Sequence, residues 1–407
     1  MNENAIFTMA LGLGEPWHIE KVEFIERNEV KELHLSIGHK RDYRFTYGGD
    51  EHSVYDHQDR TWRHLNFFEH TCYLHARVPR IKLPDGKVKL VEVPWAKEGS
   101  SFTLLFEAYT AMLVKRGMSQ SGAGRYVQES YKVVQRIIKT LVITALREQP
   151  LDPVKELGVD ETSTKKGHKY FTVLTDRERK KVVGISEGKS ESSLIEALEE
   201  MEFRGASKEK VRCTTMDMSK SYIKGVKTHL SQSQIVFDRY HIAAMMNKVV
   251  DETRKKEQRE YMELKKTRYL WLKNHNNLTI DQQEKITYLE ESYPTIGKVY
   301  RFKEMLRTVL QDAHRSHLLK PLIDWKKAAY KSEIPALINF AKMINRHWYG
   351  IKTYFKKLAT NAYAERVNLK IQDIKRTAKG YRNMENFKMM IYFHLGGLDM
   401  GLPTTKG

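Results

Sequence analysis

Cysteine is almost absent from this 407-residue chain, which has only Cys72 and Cys213, far apart in sequence. Two distant cysteines exclude a disulfide scaffold and a thiolate-rich zinc site, and they agree with a reducing compartment. The sequence also has no apolar run long enough to span a bilayer, and no basic segment precedes the short apolar stretch near its start. Neither a membrane partner nor a secretory signal is therefore expected.

Acidic side chains are also few for a chain so rich in cations. There are 70 Lys and Arg residues against 51 Asp and Glu residues, which gives a formal net charge of +19. Such a basic protein attracts polyanions, and nucleic acid is the first candidate. A hydrophobic content of 41% and an aromatic content of 10% are typical of a folded chain, and the length allows two or three domains.

The residue pattern predicts several domains. Residues 1–97 alternate apolar and polar side chains and are predicted to form a β-rich unit. Residues 98–150 have helical periodicity, with a short helix, a turn and a longer helix that are typical of a helix-turn-helix. Three cations in this region are candidates to contact DNA, although packing alone is the alternative: Arg125, Lys132 and Arg136.

Histidine is frequent in the first of these regions. The residues concerned are His52, His57, His64, His70 and His75. Their spacing matches no standard metal-binding pattern, and the cysteine pairs of a zinc-binding motif are absent. Scattered surface and structural histidines are therefore favoured over a zinc site.

The second half of the chain begins with an α/β pattern. Residues 151–241 predict three successive strands, a helix entered through a serine cap, and then strand, helix and strand, which fits a mixed sheet with helices on its faces. Residues 242–355 are almost wholly helical and basic, and residues 356–407 add further helices. We interpret the tryptophans of the helical region as core residues rather than as platforms for an unpaired base: Trp271, Trp325 and Trp348.

Two acidic residues are predicted at the ends of strands. Asp160 follows the first strand of the sheet and Asp217 the fourth, although aspartate is depleted in strands. A helix cap is the simple alternative for Asp217. A late helix places Glu365 and Asn368 on one polar stripe. The opposite face of this helix is apolar and consists of Val367, Ile371, Ile374 and Ala378. Convergent carboxylates can hold two divalent ions that act on a phosphodiester.

These segments resemble a known enzyme family. The stretches LGVDETS, CTTMDMSKSY, IVFDRYHI and AERVNLKIQDIKRTAKGYRN, with VYDHQDRTWRHLNFF and VEVPWA before them, are similar to the DDE insertion-sequence transposases of the ISL-three family. The resemblance implies an RNase H-like core in which an all-helical insertion, residues 242–355, separates Asp217 from Glu365. It also implies that Asp160, Asp217 and Glu365 are the metal-binding triad, with two Mg²⁺ or Mn²⁺ ions.

The resemblance further implies supporting residues at the site: Asp238, His241, Asn361 and Asn368. Arg376, on the polar stripe of the late helix, is a further supporting candidate, and Arg63 and Lys375 are added to the DNA-binding candidates. Family members commonly carry a Cys/His zinc-binding module near the N-terminus, but the comparable positions, 44–47 and 83–86, hold no cysteine here. Zinc is therefore doubtful: the strands persist without metal, or a histidine substitutes.

The sequence as a whole predicts a bacterial transposase that binds the terminal inverted repeats of its own element. It would cut there with divalent metal and join the 3′-hydroxyl to target DNA, working as a homodimer or larger assembly in the cytoplasm, at the nucleoid. Two alternatives are a catalytically silent repressor derived from a transposase and an RNase H-like nuclease without joining activity. The expected fold is a multidomain α+β protein.

Overall fold

The computed structural model describes residues 3–27, 30–165, 167, 169–316, 319–357 and 362–402. It divides the chain into two compact units. The first unit comprises Met1–Ala145 with Leu398–Gly407, and the second comprises Leu146–Gly397. The mixture of helices and strands confirms the predicted α+β class.

The first unit is rich in strands up to residue 90. Its strands are β1 (Trp17–Arg27), β2 (Val30–His39), β3 (Phe45–Tyr47), β4 (Asp50–His52), β5 (Val54–Phe67), β6 (His70–Lys82) and β7 (Val88–Leu90). A sheet runs in the order β1-β2-β6-β5, with β7 on β6, and β3 and β4 form a separate hairpin. Alternate residues of these strands face a buried core that includes Leu33, Leu35 and Leu74. The prediction of a β-rich unit is confirmed.

Helices make up the rest of the first unit. They are α1 (Glu3–Ala10), α2 (Leu104–Lys115), α3 (Gln120–Tyr126) and α4 (Tyr131–Glu148). The side-chain oxygens of Thr103 and Ser119 accept backbone N–H groups at the starts of α2 and α3, which is the usual role of an N-cap. The predicted order of short helix, turn and longer helix is therefore present in α3 and α4.

A glycine allows α3 and α4 to approach each other. A Cβ atom on Gly124 would lie 2.6 Å from the backbone oxygen of Glu129, a distance at which the backbone has to shift. Val134, Ile137 and Ile138 place one face of α4 in the core of the unit.

The second unit contains a five-stranded mixed sheet. Its strands are β8 (Glu156–Lys165), β9 (Lys169–Asp176), β10 (Lys181–Glu187), β11 (Cys213–Met216) and β12 (Gln234–Phe237). The strand order is β10-β9-β8-β11-β12, in which β10, β9 and β8 pair antiparallel and β8, β11 and β12 pair in parallel. A meander followed by strand, helix and strand is what the sequence predicts.

The helices of the second unit follow the sheet strands and then dominate the chain. They are α5 (Glu191–Phe203), α6 (Lys220–His229), α7 (Arg239–Glu257), α8 (Arg268–Leu272), α9 (Ile280–Ser292), α10 (Pro294–Ser316), α11 (Lys320–Tyr330), α12 (Pro335–Arg346), α13 (Trp348–Lys357), α14 (Ala362–Thr377) and α15 (Met384–Leu395). The helices from α7 to α13 share one continuous buried cluster with the sheet. Trp271 and Trp325 are 0% and 2% exposed within it, which confirms their interpretation as core residues.

Candidate active site

Three aspartates lie at corresponding positions of three adjacent strands of the mixed sheet. Asp160 is within its strand, and Asp217 and Asp238 come directly after theirs. The parallel pairing of β8 with β11 ends two residues before Asp160 on one strand and two residues before Asp217 on the other. The pairing of β11 with β12 ends one residue before Asp217 and one residue before Asp238. Because parallel strands keep a constant register, the three carboxylates follow one another in a row across this edge of the sheet.

Asp160 differs from the prediction in one respect. It was expected to end its strand, but β8 continues to Lys165 because β9 goes on pairing with it, with Asp160 opposite Val173. Asp217 does follow the last residue of its strand, as predicted. Asp160 therefore lies where β8 has lost its β11 neighbour and keeps its β9 neighbour.

The other two aspartates use one oxygen each to bind local backbone. Asp217 Oδ1 accepts the N–H of Ser219 at 3.0 Å, and Asp238 Oδ1 accepts the N–H of Tyr240 at 3.1 Å as the N-cap of α7. The second oxygen of Asp238 has no hydrogen-bond partner within the described part of the chain, although the residue is 0% exposed. A buried carboxylate oxygen without a partner is costly, and a cation or a proton would relieve that cost.

Burial raises the pKa of Asp160 to about 6. The backbone N–H of Glu161 and the nearby His241 act in the opposite direction, while the negative charges of Asp217 and Asp238 raise the pKa further. A group of like charges in a partly desolvated site is the arrangement that shifts carboxyl groups this way. The same arrangement attracts a divalent cation.

His241 lies in the first turn of α7, close to this row of aspartates. The Asp238 carboxylate raises the pKa of His241 above its ordinary value, and Asp217 and Asp160 add to the effect. The distance from His241 Nδ1 to Asp238 Oδ2 is 3.6 Å, which is within ion-pair range and longer than a hydrogen bond. A protonated imidazole is thus favoured beside the carboxylates.

Helix α14 lies along β8 and brings Asn368 to Asp160. The Asn368 amide nitrogen donates to Asp160 Oδ2 at 2.8 Å and, more weakly, to the backbone oxygen of Glu161 at 3.3 Å. One turn later Gln372 donates to Thr162 Oγ1 at 3.0 Å. The opposite face of α14 is buried through Val367, Ile371 and Ile374, as predicted, whereas Ala378 lies past the end of the helix.

Glu365 is half-buried in the first turn of α14. Burial raises its pKa, and so does the charge of Asp238, while His241 and Arg239 lower it. Glu365 therefore faces the same group of charges as the aspartates do. As placed, no three His, Cys, Asp or Glu side chains among the described residues are close enough together to hold a metal ion.

The other predicted supporting residues contribute less. Asn361 lies outside the residues that the structure describes. Arg376 is exposed at the end of α14 and pairs with Asp373 at 2.7 Å, so it is committed to its own helix rather than to the site. Lys375 Nζ lies 3.4 Å from the backbone oxygen of Ser163 and helps to hold α14 on β8.

Two charged residues near the site, Glu161 and Arg239, are not predicted from the sequence. Glu161 is half-buried next to Asp160; burial raises its pKa, and Lys189 Nζ lies 3.9 Å from its carboxylate. Arg239, in the DRYH stretch, is close enough to Glu365 to lower the pKa of that glutamate. The paired acids in LGVDETS and the arginine beside Asp238 were the available signals.

The predicted DNA contacts differ in exposure. Lys132 and Arg136 are exposed on α4, and the Arg136 guanidinium lies 5.6 Å from the Phe102 ring centre. Arg125 is exposed but belongs to α3. Arg63 does not fit the prediction, because it is 5% exposed and its guanidinium donates to the backbone oxygens of its own hairpin, those of His64 and Cys72.

Comparison with known proteins agrees with this layout. A family model described as a transposase, of the ISL3 group with the DDE signature, matches residues 157–391, which include all three predicted carboxylates. A model for the helix-turn-helix domain of transposase family ISL3 matches residues 91–142. A third, for the zinc-finger of the transposases of IS204, IS1001, IS1096 and IS1165, matches residues 49–84. Within the described residues, no helix is both long and apolar enough to cross a membrane.

Two curated relatives match over nearly the whole chain. The transposase for insertion sequence element IS1001 of Bordetella parapertussis is 25% identical, over 94% of this chain and 96% of the relative. The transposase for insertion sequence element IS1557 of Mycobacterium tuberculosis is 24% identical, over 99% of this chain and 98% of the relative. With the transposase model covering more than half of its length, the chain belongs to the ISL3 family of insertion-sequence transposases.

Proposed function

We propose that this transposase cuts DNA at the ends of its own element and joins the freed 3′-hydroxyl to target DNA, using Asp160, Asp217 and Glu365. The observation that carries the proposal is the row of carboxylates at one edge of the sheet, to which α14 is attached by the Asn368–Asp160 hydrogen bond. That bond joins residues 208 positions apart in sequence. It places the helix that bears Glu365 against the strand that bears Asp160.

The strand order supports an RNase H-like core. Such a core requires three antiparallel strands followed by two strands that run parallel to the first. Here β8, β9 and β10 are antiparallel, β11 and β12 lie on the other side of β8, and α5 and α6 are the intervening helices. The helices from α7 to α13 separate β12 from α14 and would constitute the insertion. In the proposed division, residues 1–97 and 98–150 bind DNA, while residues 151–241 and 356–407 form the catalytic core around the inserted residues 242–355.

The donor atoms of the site suit a hard divalent cation. Asp160, Asp217 and Glu365 supply carboxylate oxygens, the ligands that Mg²⁺ and Mn²⁺ prefer. The raised pKa of Asp160 and the Asp238 Oδ2 that accepts no hydrogen bond from the described residues are both consistent with a site that is stabilised by added positive charge. When bound, two such ions would activate the attacking oxygen and neutralise charge on the phosphodiester. Magnesium usually keeps several water ligands, so a few carboxylates suffice.

The protein groups around the carboxylates have separate roles in the proposal. Asn368 holds the Asp160 carboxylate in one orientation through its 2.8 Å hydrogen bond. Asp238 raises the pKa of His241, so that its protonated form would offset part of the negative charge of the site before DNA arrives. Arg239 lies near Glu365 and offers a guanidinium to a DNA phosphate.

DNA recognition is assigned to the first unit. The exposed cations Lys132 and Arg136 on α4 would contact a terminal repeat, with Arg125 on α3 beside them. Because two element ends have to be joined to one target, we propose that the active form is a dimer or larger assembly on DNA. Each protomer would then contribute one carboxylate triad.

The test is a cleavage and strand-transfer assay on a duplex that contains the element end, with Mg²⁺ or Mn²⁺. Asp217→Asn should abolish nicking and joining while binding is retained. Asp373→Asn is the matched control, since it removes an exposed carboxylate on α14 that pairs with Arg376. If wild type and both variants bind the duplex and none of them cuts it, the silent repressor is favoured. If wild type cuts the duplex without joining it to target DNA, the nuclease is favoured.

A further inference from the structure

The region that matches the zinc-finger model lacks the ligands that such a module uses. Residues 49–84 contain a single cysteine, Cys72. Cys72 is 2% exposed in the core of the sheet, and burial raises the pKa of its thiol to about 12. Zinc binds the thiolate form and usually takes four ligands in a structural site. Cys72 is therefore a core residue and not a zinc ligand.

Two histidines of this region, His64 and His75, are engaged in hydrogen bonds. His75 Nε2 lies 2.7 Å from Nδ1 of His34, and His75 Nδ1 lies 3.0 Å from Thr61 Oγ1. Both ring nitrogens of His75 are therefore taken. His64 Nδ1 is hydrogen-bonded to Thr103 Oγ1, at the cap of α2.

A second pair of histidines, His39 and His57, also provides too few ligands for a structural zinc ion. His57 Nε2 and His39 Nε2 approach to 3.1 Å. The pair supplies two nitrogens, and the described part of the chain contains no group of three His, Cys, Asp or Glu side chains suited to a metal. The donor set of the module therefore does not fit a structural zinc ion.

Four aromatic side chains, one of them in the 44–47 segment, form a buried cluster in this module. Phe45 of β3 packs against Trp17 of β1 with ring centres 5.9 Å apart, and Trp17 meets Trp95 at 5.0 Å. Trp95 then meets Trp62 of β5 at 5.5 Å. All four residues, here called the tryptophan cluster, are between 2% and 7% exposed. Through Phe45 the cluster joins the β3–β4 hairpin to the main sheet.

The two segments comparable to the family's ligand positions are each connected to the rest of the unit without metal. At 44–47, Phe45 is in the tryptophan cluster, and Lys89 Nζ lies 4.8 Å from the Tyr47 ring centre. At 83–86, a tight turn is closed by the Gly86 N–H donating to Leu83 O at 2.9 Å, and Leu83 packs on the core. Apolar burial and backbone hydrogen bonds thus connect both positions.

We propose that this zinc-finger-related module folds without metal and that the tryptophan cluster provides the cohesion that a zinc ion gives elsewhere. Buried aromatic groups each remove a large apolar area from water, which supports such a role. The inference is independent of the carboxylate site, because it concerns the folding of the first unit and not the reaction.

The test uses the purified full-length chain without DNA. Its zinc content is measured by mass spectrometry, and its thermal unfolding is followed by tryptophan fluorescence before and after treatment with a zinc chelator. We expect far less than one zinc per chain and an unchanged Tm. One tightly bound zinc per chain, whose removal lowers the Tm, would overturn the proposal.

Substitutions test the cluster itself. Phe45→Ala should lower the Tm of the first unit by about 10 °C, because it leaves a cavity in a small core. Tyr55→Ala, which truncates an aromatic residue that is 58% exposed in the same module, is the matched control. Phe45→Leu keeps an apolar group and covers the case in which the alanine variant fails to fold. A Tm equal to wild type for both Phe45 variants, or rescue of either by added zinc, would contradict the role of the cluster.

Discussion

At the scale of single residues, Asn368 controls the geometry of Asp160. Asn368→Ala removes the amide that donates to the carboxylate, and it leaves the buried face of α14 intact. We expect the single-turnover cleavage rate to fall by roughly 10- to 100-fold, as for other groups that orient a metal-binding carboxylate. Gln372→Ala on the next turn is the control, and DNA affinity should be unchanged in both. Equal losses from the two variants would assign Asn368 a merely structural role.

His64 makes the first unit sensitive to acid. Burial, assisted by the charge of Arg63, lowers the pKa of His64 to about 4 from an ordinary value of 6.5. The unfolded chain therefore takes up the proton first as the pH falls. The stability is complete above pH 6.5 and declines between pH 6.5 and 4, by up to about 2 kcal/mol at pH 5.

Urea unfolding at pH 7.5 and pH 5 measures this loss. His64→Asn keeps a hydrogen-bonding group near Thr103 and removes the titration, so it should lose less stability than wild type between the two pH values. A remaining loss is expected from His57 and His75, whose pKa values are also lowered by burial. Parallel curves for the two proteins would show that His64 does not contribute.

At the scale of elements, the turn between α3 and α4 depends on Gly124. In Gly124→Ala the new methyl group would lie 2.6 Å from Glu129 O, so the backbone of the turn between the two helices has to shift. We expect a destabilisation of about 1–3 kcal/mol and weaker binding to an element end. Ser121→Ala, at an exposed position of α3, is the control. Chemical denaturation and a gel-shift titration provide the two measurements, and unchanged values in both would contradict this account of the turn.

Helix α4 should contribute to DNA binding mainly through its charge. Lys132→Gln removes an exposed cation, so affinity should fall and the slope of log K against log salt should become shallower by about 0.9 if one phosphate contact is lost. Lys285→Gln, an exposed cation on α9, is the charge-matched control. Titrations at several salt concentrations give the slopes. A slope unaffected by Lys132→Gln would place the phosphate contacts elsewhere.

For the complete protein, the two proposals together predict that bound metal stabilises the second unit, whereas the first unit is stable without metal. Mg²⁺ at about ten times its dissociation constant should stabilise the unit that holds the carboxylates by roughly 1 kcal/mol through mass action. Asp217→Asn should reduce this gain, and Asp373→Asn should not. Calorimetry in EDTA and in Mg²⁺ provides the readout without DNA. Equal gains in all three proteins would remove the support for a metal site at Asp217.

Much of the layout could be predicted because it rests on local patterns. The alternation in residues 1–97, the strand–helix order after residue 151 and the apolar face of α14 are all periodic signals. The proposed role of Glu365 comes from the resemblance to ISL-three transposases. Helical spacing alone would have suggested only that Glu365 lies on a solvated face. The family models confirm that resemblance.

The rest depends on pairing between distant parts of the chain. Asp160 was placed at a strand end because the sequence does not show that β9 keeps pairing to the end of β8. Charge makes Arg63 a candidate for contact with DNA, but charge alone does not reveal that its guanidinium is enclosed by its own hairpin. The role of the tryptophan cluster was not foreseen, since its members lie in four different segments of the chain.

The long separation between Asp160 and Asn368 has a consequence during protein synthesis. A ribosome completes α4 and its exposed cations well before it reaches α14, so the proposed site cannot assemble until nearly the whole chain has been made. A product that stops before residue 362 would keep the helix-turn-helix and lack both Glu365 and Asn368. Such a fragment would occupy element ends without cutting them, and premature termination or proteolysis would thereby convert the enzyme into its own competitor.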